Sequence, residues 1–404
     1  MRRRGVAGAL ANLQVLELAR SSAAPFCTKL LAGCGAEVIK IEPPGVGDPT
    51  RTMGPFKDDV PHPEKSVLFL HLNTSKKSIT LDPASETGKV ILLRLIQDTD
   101  ILVEDLGPQD LADMGLDYPS LERINPRLIM ASISFFGQTG PYRDYRANEL
   151  TGFAMGGYMH ITGHPDREPV KAAGNVGQYQ GGLHAVVGIM AALLYRSTHG
   201  VGQHIDVSTT ESLAFSTNAM GDWLNHGQVQ RRVGNRNASP NPRALYPSTF
   251  LPCKDGWIHA HHAPTDFTLL AVLMEEPRLA SPEIVESPRG HADLMDELCL
   301  PWLSRYDKFE VVRRAQELRH PFTEVLDILE VLQDPQHEAR GYFVEVEHPV
   351  AGAIKQPGAP FRASGTPWQT TAAPLLGQHN EAVYCQRLGY SKEDLVRLRE
   401  LGVI

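Results

Sequence analysis

Two residues carry most of the chemistry legible in the chain. The run VKAAGNVGQYQGGLHAVVGIMAALLYR, Val170 to Arg196, opens with a glycine-rich turn and continues as a long small-residue apolar segment that reads as a buried helix. Gln178 falls where the turn becomes the helix. Unpaired N–H groups and the positive end of the helix dipole favour an anion or a reactive carboxylate there, so a neutral amide is unexpected. Glu149, in YRANELTGFAMGGYMHITG, precedes a second small-residue helix. Its carboxylate reads either as a charge at a helix N-terminus or as a pocket acid, with Arg146 as its partner or as a contact for an anionic ligand.

Other chemistries lack support. There is no Walker A sequence, no GxGxxG after a strand and no GxSxG, which removes the usual phosphate cradle, dinucleotide fingerprint and hydrolase elbow. GVGDPTR and NTSKKS are basic or glycine-rich loops within reach of a phosphate in principle, and each reads as a solvated turn. HAHHAP supplies His259, His261 and His262, with the first two on one strand face. A metal site would need further ligands that the sequence does not locate, so these histidines read as hairpin surface or interface, and no metal is implied.

The elements that must position such residues follow from the bulk numbers and the apolar patterning. At 404 residues and 42% hydrophobic content, two domains or one large lobed body are expected. A net charge of -8 gives no broad basic footprint, so nucleic acid is an unexpected partner. The five cysteines (Cys27, Cys34, Cys253, Cys299, Cys385) form no CxxC pair, which fits a reducing cytoplasm. The basic start MRRRGVAGALANLQVLELA is interrupted by Asn12, Gln14 and Glu17, which argues against a signal peptide, and no apolar run of about 18 residues predicts a membrane span.

LQVLEL, APFCTKLLAGCG and AEVIKIEPPG read as strand, helix with Gly35 at its cap, and strand. The alternation resumes through KSITLD, ASETGKVILLRLIQD, ILVEDL, NPRLIMASISFF and, after the long helix, HIDV. Such alternation predicts an α/β fold around a largely parallel sheet. A polar, turn-rich stretch then leads to STFLPCKDGWIHAHHAPTDF, a hairpin with its turn at Lys254 to Gly256. The expected boundaries are a large domain at 1–205, a linker helix at 206–228, a smaller α+β domain at 229–318 and a return to the large domain at 319–404.

The order of the runs VLELARSSAAPFCTKLLAGCGAEVIKIEPPGVGDPTR, NTSKKSITLD, ILVEDLGPQDLADMGLDYPSLERINPRLIMASISFFGQTGP, GIMAALLYRSTHGVGQHIDVSTTESL, ILEVLQDPQHEARGYF and LGQHNEAVYCQRLGY resembles the family III CoA-transferases of CaiB/BaiF type. That group includes formyl-CoA, carnitine and bile-acid-inducible CoA-transferases. The resemblance extends from about residue 13 to the C-terminus, interrupted mainly in the small domain. It implies a Rossmann-like large domain built from both ends of the chain, an inserted smaller α+β domain, and an interlocked homodimer in the cytoplasm.

The resemblance also implies movement of CoA from an acyl-CoA to a carboxylic acid through an aspartate, which forms a mixed anhydride and then an aspartyl-CoA thioester. No covalently bound cofactor is implied; coenzyme A and acyl-CoA are substrates. Aligned on GLHAVVGIMAALL, the aspartate position is Gln178, and an amide cannot form the anhydride. The acid/base pair of the related racemases falls on Asn148 and Gln178, which supports racemisation no better. Expected CoA contacts are Ser21 and Ser22, Leu81, Asp105 and Leu106 of EDLGPQ, Met114 and Arg146. Asp105 and Asp113 would each repel the CoA phosphates by about 1 kcal/mol. Glu149, beside the implied active site, is the candidate substitute nucleophile. The alternatives are a noncatalytic acyl-CoA-binding homologue, in a heteromer with an active one, and a CoA-ester lyase or isomerase using Glu149 as base.

Overall fold

Six short strands build one parallel sheet: β1 (Gln14–Leu18), β2 (Glu37–Glu42), β3 (Lys77–Thr80), β4 (Ile101–Glu104), β5 (Ile129–Ser134) and β6 (Gln203–Ser208). Their order is β3-β2-β1-β4-β5-β6, with Leu16 opposite Ile39 on one side and Leu102 on the other. A parallel sheet must be covered on both faces. Alternate residues do this: Leu16, Ile39, Ile41 and Ile79 pack with helix Glu86–Gln97, while Val15, Val38, Ile101 and Ile129 pack with helices Ala23–Gly33 and Val176–His199. The α/β reading and its parallel sheet therefore stand. Strand order reverses direction between β1 and β4, and the crevice outside their carboxyl ends is where such sheets receive ligands.

The protein is described as a computed structural model covering residues 8–217, 219–227, 229–235, 242–243, 245–261 and 267–404. It divides into two compact units: Met1–Tyr158, Lys171–Thr217 and Glu338–Ile404 form the first, and Met159–Val170 with Asn218–His337 the second. The C-terminal segment belongs to the sheet's own core. Val383, Tyr384, Leu395, Leu398, Val403 and Ile404 pack with the β1–β3 side chains. At the β3 edge, Thr80 N–H donates to Asn380 Oδ1 at 2.9 Å and Tyr384 Oη–H to the Thr80 carbonyl at 2.6 Å.

The two basic loops differ from their expected solvated state. Lys76 is 4% exposed and Arg51 is fully buried. The reason is that Glu17 and Glu42 sit at buried sheet positions, where an unpaired carboxylate is costly. Lys40 and Lys76 reach the two Glu17 oxygens at 2.5 and 2.8 Å, and Arg51 pairs with Glu42 and Glu64, each at 2.7 Å. Burial alone would raise the Glu17 pKa; Lys40 and Lys76 overcome it and hold it at about 2.

In the second unit, β7 (Ser248–Pro252) and β8 (Trp257–His261) form the antiparallel hairpin, with β9 (Thr323–Glu324) beside β8. Its core holds Trp302, Phe322, Leu270 and Ile258. Residues 159–170 are tied to this unit by Gly234 N–H donating to the Gly163 carbonyl at 3.0 Å. The His259 and His261 rings stack 6.1 Å apart, and His261 Nδ1 lies 3.2 Å from Ser248 Oγ; His262 falls outside the described residues. Among the described residues, no group of three or more His, Cys, Asp or Glu is placed to hold a metal ion, and no helix is long and apolar enough to cross a membrane.

Candidate active site

The long helix Val176–His199 begins without help from its own N-cap, since Asn175 makes no side-chain capping bond. Glu149 closes it through space instead. Its Oε1 accepts from Gly177 N–H at 2.7 Å and its Oε2 from Gln178 N–H at 3.1 Å, pairing a carboxylate with the positive end of the helix. A Cβ on Gly177 would lie only 3.2 Å from Glu149 Oε1, so glycine leaves the carboxylate room to close on the helix. Glu149 is itself placed by Asn148, which forms a capping box with Thr151 at the start of helix Glu149–Met155.

Gln178 is 9% exposed. The long helix approaches helix Ala23–Gly33 so closely at Gly182 that a Cβ there would stand 2.6 Å from the Ala23 carbonyl oxygen. That approach brings Gln178 to the start of the neighbouring helix, where its Oε1 accepts from Ser22 N–H at 2.9 Å. With the oxygen committed to a backbone donor, the NH2 end of the amide is the part left to face a ligand. Ser22 is held from a second side by Asn175 Nδ2, which donates to its Oγ at 3.1 Å.

Asp105, directly after β4, closes the start of the same helix. Its Oδ1 accepts from Arg20 N–H at 2.6 Å and Ser21 N–H at 3.2 Å, and its Oδ2 from Ser21 Oγ–H at 2.6 Å and Ala24 N–H at 3.1 Å. The charge expected to face CoA phosphates is thus largely taken up by local donors. Asp113 stays exposed and accepts from Gln109 Nε2 at 2.6 Å. Glu104, one residue before Asp105, is fully buried, and its Oε2 accepts from Leu106 N–H at 2.8 Å. Burial pushes its pKa up to about 7. Gly107, at φ 107°, makes the left-handed turn that carries the loop into helix Pro108–Met114.

These loops enclose two adjoining cavities at the β1/β4 crevice. One, of about 220 Å³, is lined by Ser21, Asp105, Leu106, Gln178 and, from the segment after β5, Phe135, Phe136, Arg143 and Tyr145. The other, of about 150 Å³, is lined by Leu81, Leu106 and Met114 among others, so Leu106 is a wall of both. An amide, a guanidinium and backbone-anchored hydroxyls in the first can bind a carboxylate or polarise a carbonyl. The apolar second suits the body of a longer ligand.

The sequence model of CoA-transferase family III matches residues 10–380. The chain belongs to that family. It is 35% identical over 402 residues to the succinyl-CoA--D-citramalate CoA-transferase of Chloroflexus aurantiacus, covering 98% of each chain. It is 34% identical over 419 residues to the formyl-CoA:oxalate CoA-transferase of Streptomyces coelicolor, covering 98% of this chain and 100% of the relative. Among solved structures, a CaiB/BaiF family protein from Brucella suis superposes with a TM-score of 0.84 at 30% identity, over 94% of this chain and 99% of that one.

Of the site residues expected in this family III chain, Ser21, Asp105, Leu106 and Gln178 come together around the larger cavity, and Leu81, Leu106 and Met114 around the smaller. Ser22 lies behind Gln178. Arg146 is exposed beside Ala147, which lines the larger cavity, and Glu149 lies on the helix end rather than in the cavity wall. Arg143, Phe135, Phe136 and Tyr145 join the wall of the larger cavity without being among the residues that the sequence marks as a site. Their only signal was an aromatic and basic cluster, SFFGQTGPYRDY, directly after a strand.

Proposed function

We propose that the protein binds acyl-CoA thioesters and moves CoA between an acyl-CoA and a carboxylic acid, with Gln178 at the position where the family places its nucleophilic aspartate. The observation that carries this reading is the position of the Gln178 side chain in the wall of a polar cavity that adjoins the Leu81, Leu106 and Met114 cavity at the strand-order switch point. Acyl-CoA and a carboxylic acid are then the ligands. The relatives named above use succinyl-CoA with D-citramalate and formyl-CoA with oxalate, and these pairs are the first to assay.

The protein works as a cytoplasmic homodimer in this reading. Leu183, Val187, Met190 and Leu194 repeat at helical spacing along the long helix and are 44% to 71% exposed, an apolar stripe suited to a second copy. A second reading, a noncatalytic acyl-CoA-binding homologue paired with an active one, is favoured by the engagement of both Glu149 oxygens on the helix end. The same engagement disfavours Glu149 as the base of a lyase or isomerase.

The test is to mix protein, donor and acceptor and follow the CoA esters by mass spectrometry, with free-CoA titration in parallel. Transfer supports the first reading; tight CoA binding without transfer supports the second. An affinity for CoA weaker than about millimolar, near -4 kcal/mol, would sink both.

A further inference from the structure

The geometry points to transfer without acylation of the enzyme: Gln178 Nε2 donates to the thioester carbonyl while Arg143 holds the acceptor, whose own carboxylate makes the attack. This inference rests on the CoA-transfer reading above. Three observations lead to it. The Gln178 oxygen is fixed by Ser22 N–H, which turns the amide's donor end towards the larger cavity. Arg143 lines the same cavity; its Nε faces Asp144 at 3.2 Å, and its two Nη groups make no hydrogen bond to a described residue. Two cavities share the Leu106 wall, so a CoA ester and a carboxylic acid have separate places at one time.

The chemistry balances without an enzyme nucleophile. One oxygen of the acceptor carboxylate adds to the donor carbonyl, whose developing negative charge lies on the oxygen held by Gln178 Nε2–H. Collapse breaks the C–S bond, releasing CoA thiolate and leaving a mixed anhydride of the two acids. The thiolate then adds to the acceptor's carbonyl, and the bridging oxygen departs with the donor acyl group as a carboxylate. No net proton, oxidant or reductant is required. The body of the acceptor packs against Phe135, Phe136 and Tyr145, so the favoured class is a carboxylic acid with a flat, aromatic body.

Oxygen labelling distinguishes this route from a covalent one. With enzyme in excess over succinyl-CoA, benzoate and phenylacetate carrying 18O in both carboxylate oxygens are compared with similarly labelled citramalate in a single turnover. Direct attack sends one 18O into the released succinate. A route through an enzyme carboxylate sends an unlabelled enzyme oxygen there instead. Labelled succinate together with acceptor-CoA is the expected result. Unlabelled succinate together with acceptor-CoA, or an acyl or CoA adduct on the protein by intact mass, overturns the inference and leaves the transferase reading standing. Absence of transfer from succinyl-CoA to every one of these acceptors defeats both. Transfer to citramalate alone overturns the aromatic acceptor class.

Two variants locate the donors. Gln178→Met keeps the side-chain volume and loses the donor, and kcat should fall about 100-fold or more. Its dissociation constant for free CoA should move less than about threefold, which also reports that the fold is intact. Arg143→Gln should raise the acceptor KM about tenfold with the acyl-CoA KM unchanged, a split that a general loss of structure would not produce. Unchanged kcat in the first variant, or an unchanged acceptor KM in the second, refutes the assigned role.

Discussion

The decisive perturbation for Glu149 is its replacement by glutamine. Its carboxylate makes two charge-assisted bonds, to Gly177 and Gln178 N–H, at the start of a 24-residue helix. An amide retains one acceptor oxygen, so one of these bonds and the charge–dipole attraction are lost. A hydrogen bond to a charged group contributes about 1.5–3 kcal/mol and the helix-end charge about 0.3–1 kcal/mol. Glu149 is partly exposed, which places the total near the low end, at about 2 kcal/mol. For a body of more than 250 residues that corresponds to a fall in Tm of about 2–4 °C. Calorimetry and the transfer assay should be run on the same preparation. The expected result is a lowered Tm with transfer per folded molecule reduced only modestly. A Tm within about one degree of the parent, together with abolished transfer, would show that the carboxylate does chemistry rather than closing the helix.

Two further outcomes follow from the same loops. Asp105→Ala leaves Arg20 N–H, Ala24 N–H and the Ser21 hydroxyl without their acceptor and should cost about 2 kcal/mol, read as a lower denaturation midpoint; an unchanged midpoint would mean that the cap contributes nothing. Glu104 has a pKa near 7 when folded against 4.5 when free, so the folded state holds the extra proton between those values. Stability therefore falls as pH rises from about 4.5 through 7, by roughly 3 kcal/mol from this residue. Glu104→Gln should flatten that part of the pH–stability curve, and parallel curves for parent and variant between pH 4.5 and 8 would refute it.

The parallel sheet was legible because the strands are short apolar runs separated by helical periodicity, and burial on both faces leaves few alternatives for LQVLEL or ILVEDL. Gln178 was legible because a helix start after a glycine turn is a local feature. The expected role of Asp105 was less so. Its sequence neighbours say nothing of Arg20, Ser21 and Ala24, whose donors reach it only because β1 and β4 are adjacent. The basic loops misled for a related reason: Lys76 and Arg51 resemble surface charge until Glu17 and Glu42 are known to lie inside.

By itself, the sequence determined the α/β class, the family resemblance and the amide at residue 178, since periodicity, turn residues and residue identity are properties of neighbours along the chain. Tertiary structure alone decided that Glu149 closes the helix bearing Gln178, that Gln178 is oriented by Ser22, and that Arg143 shares their cavity. Those contacts join residues 28 to 156 positions apart, and only the packing of the sheet and its helices sets such distances.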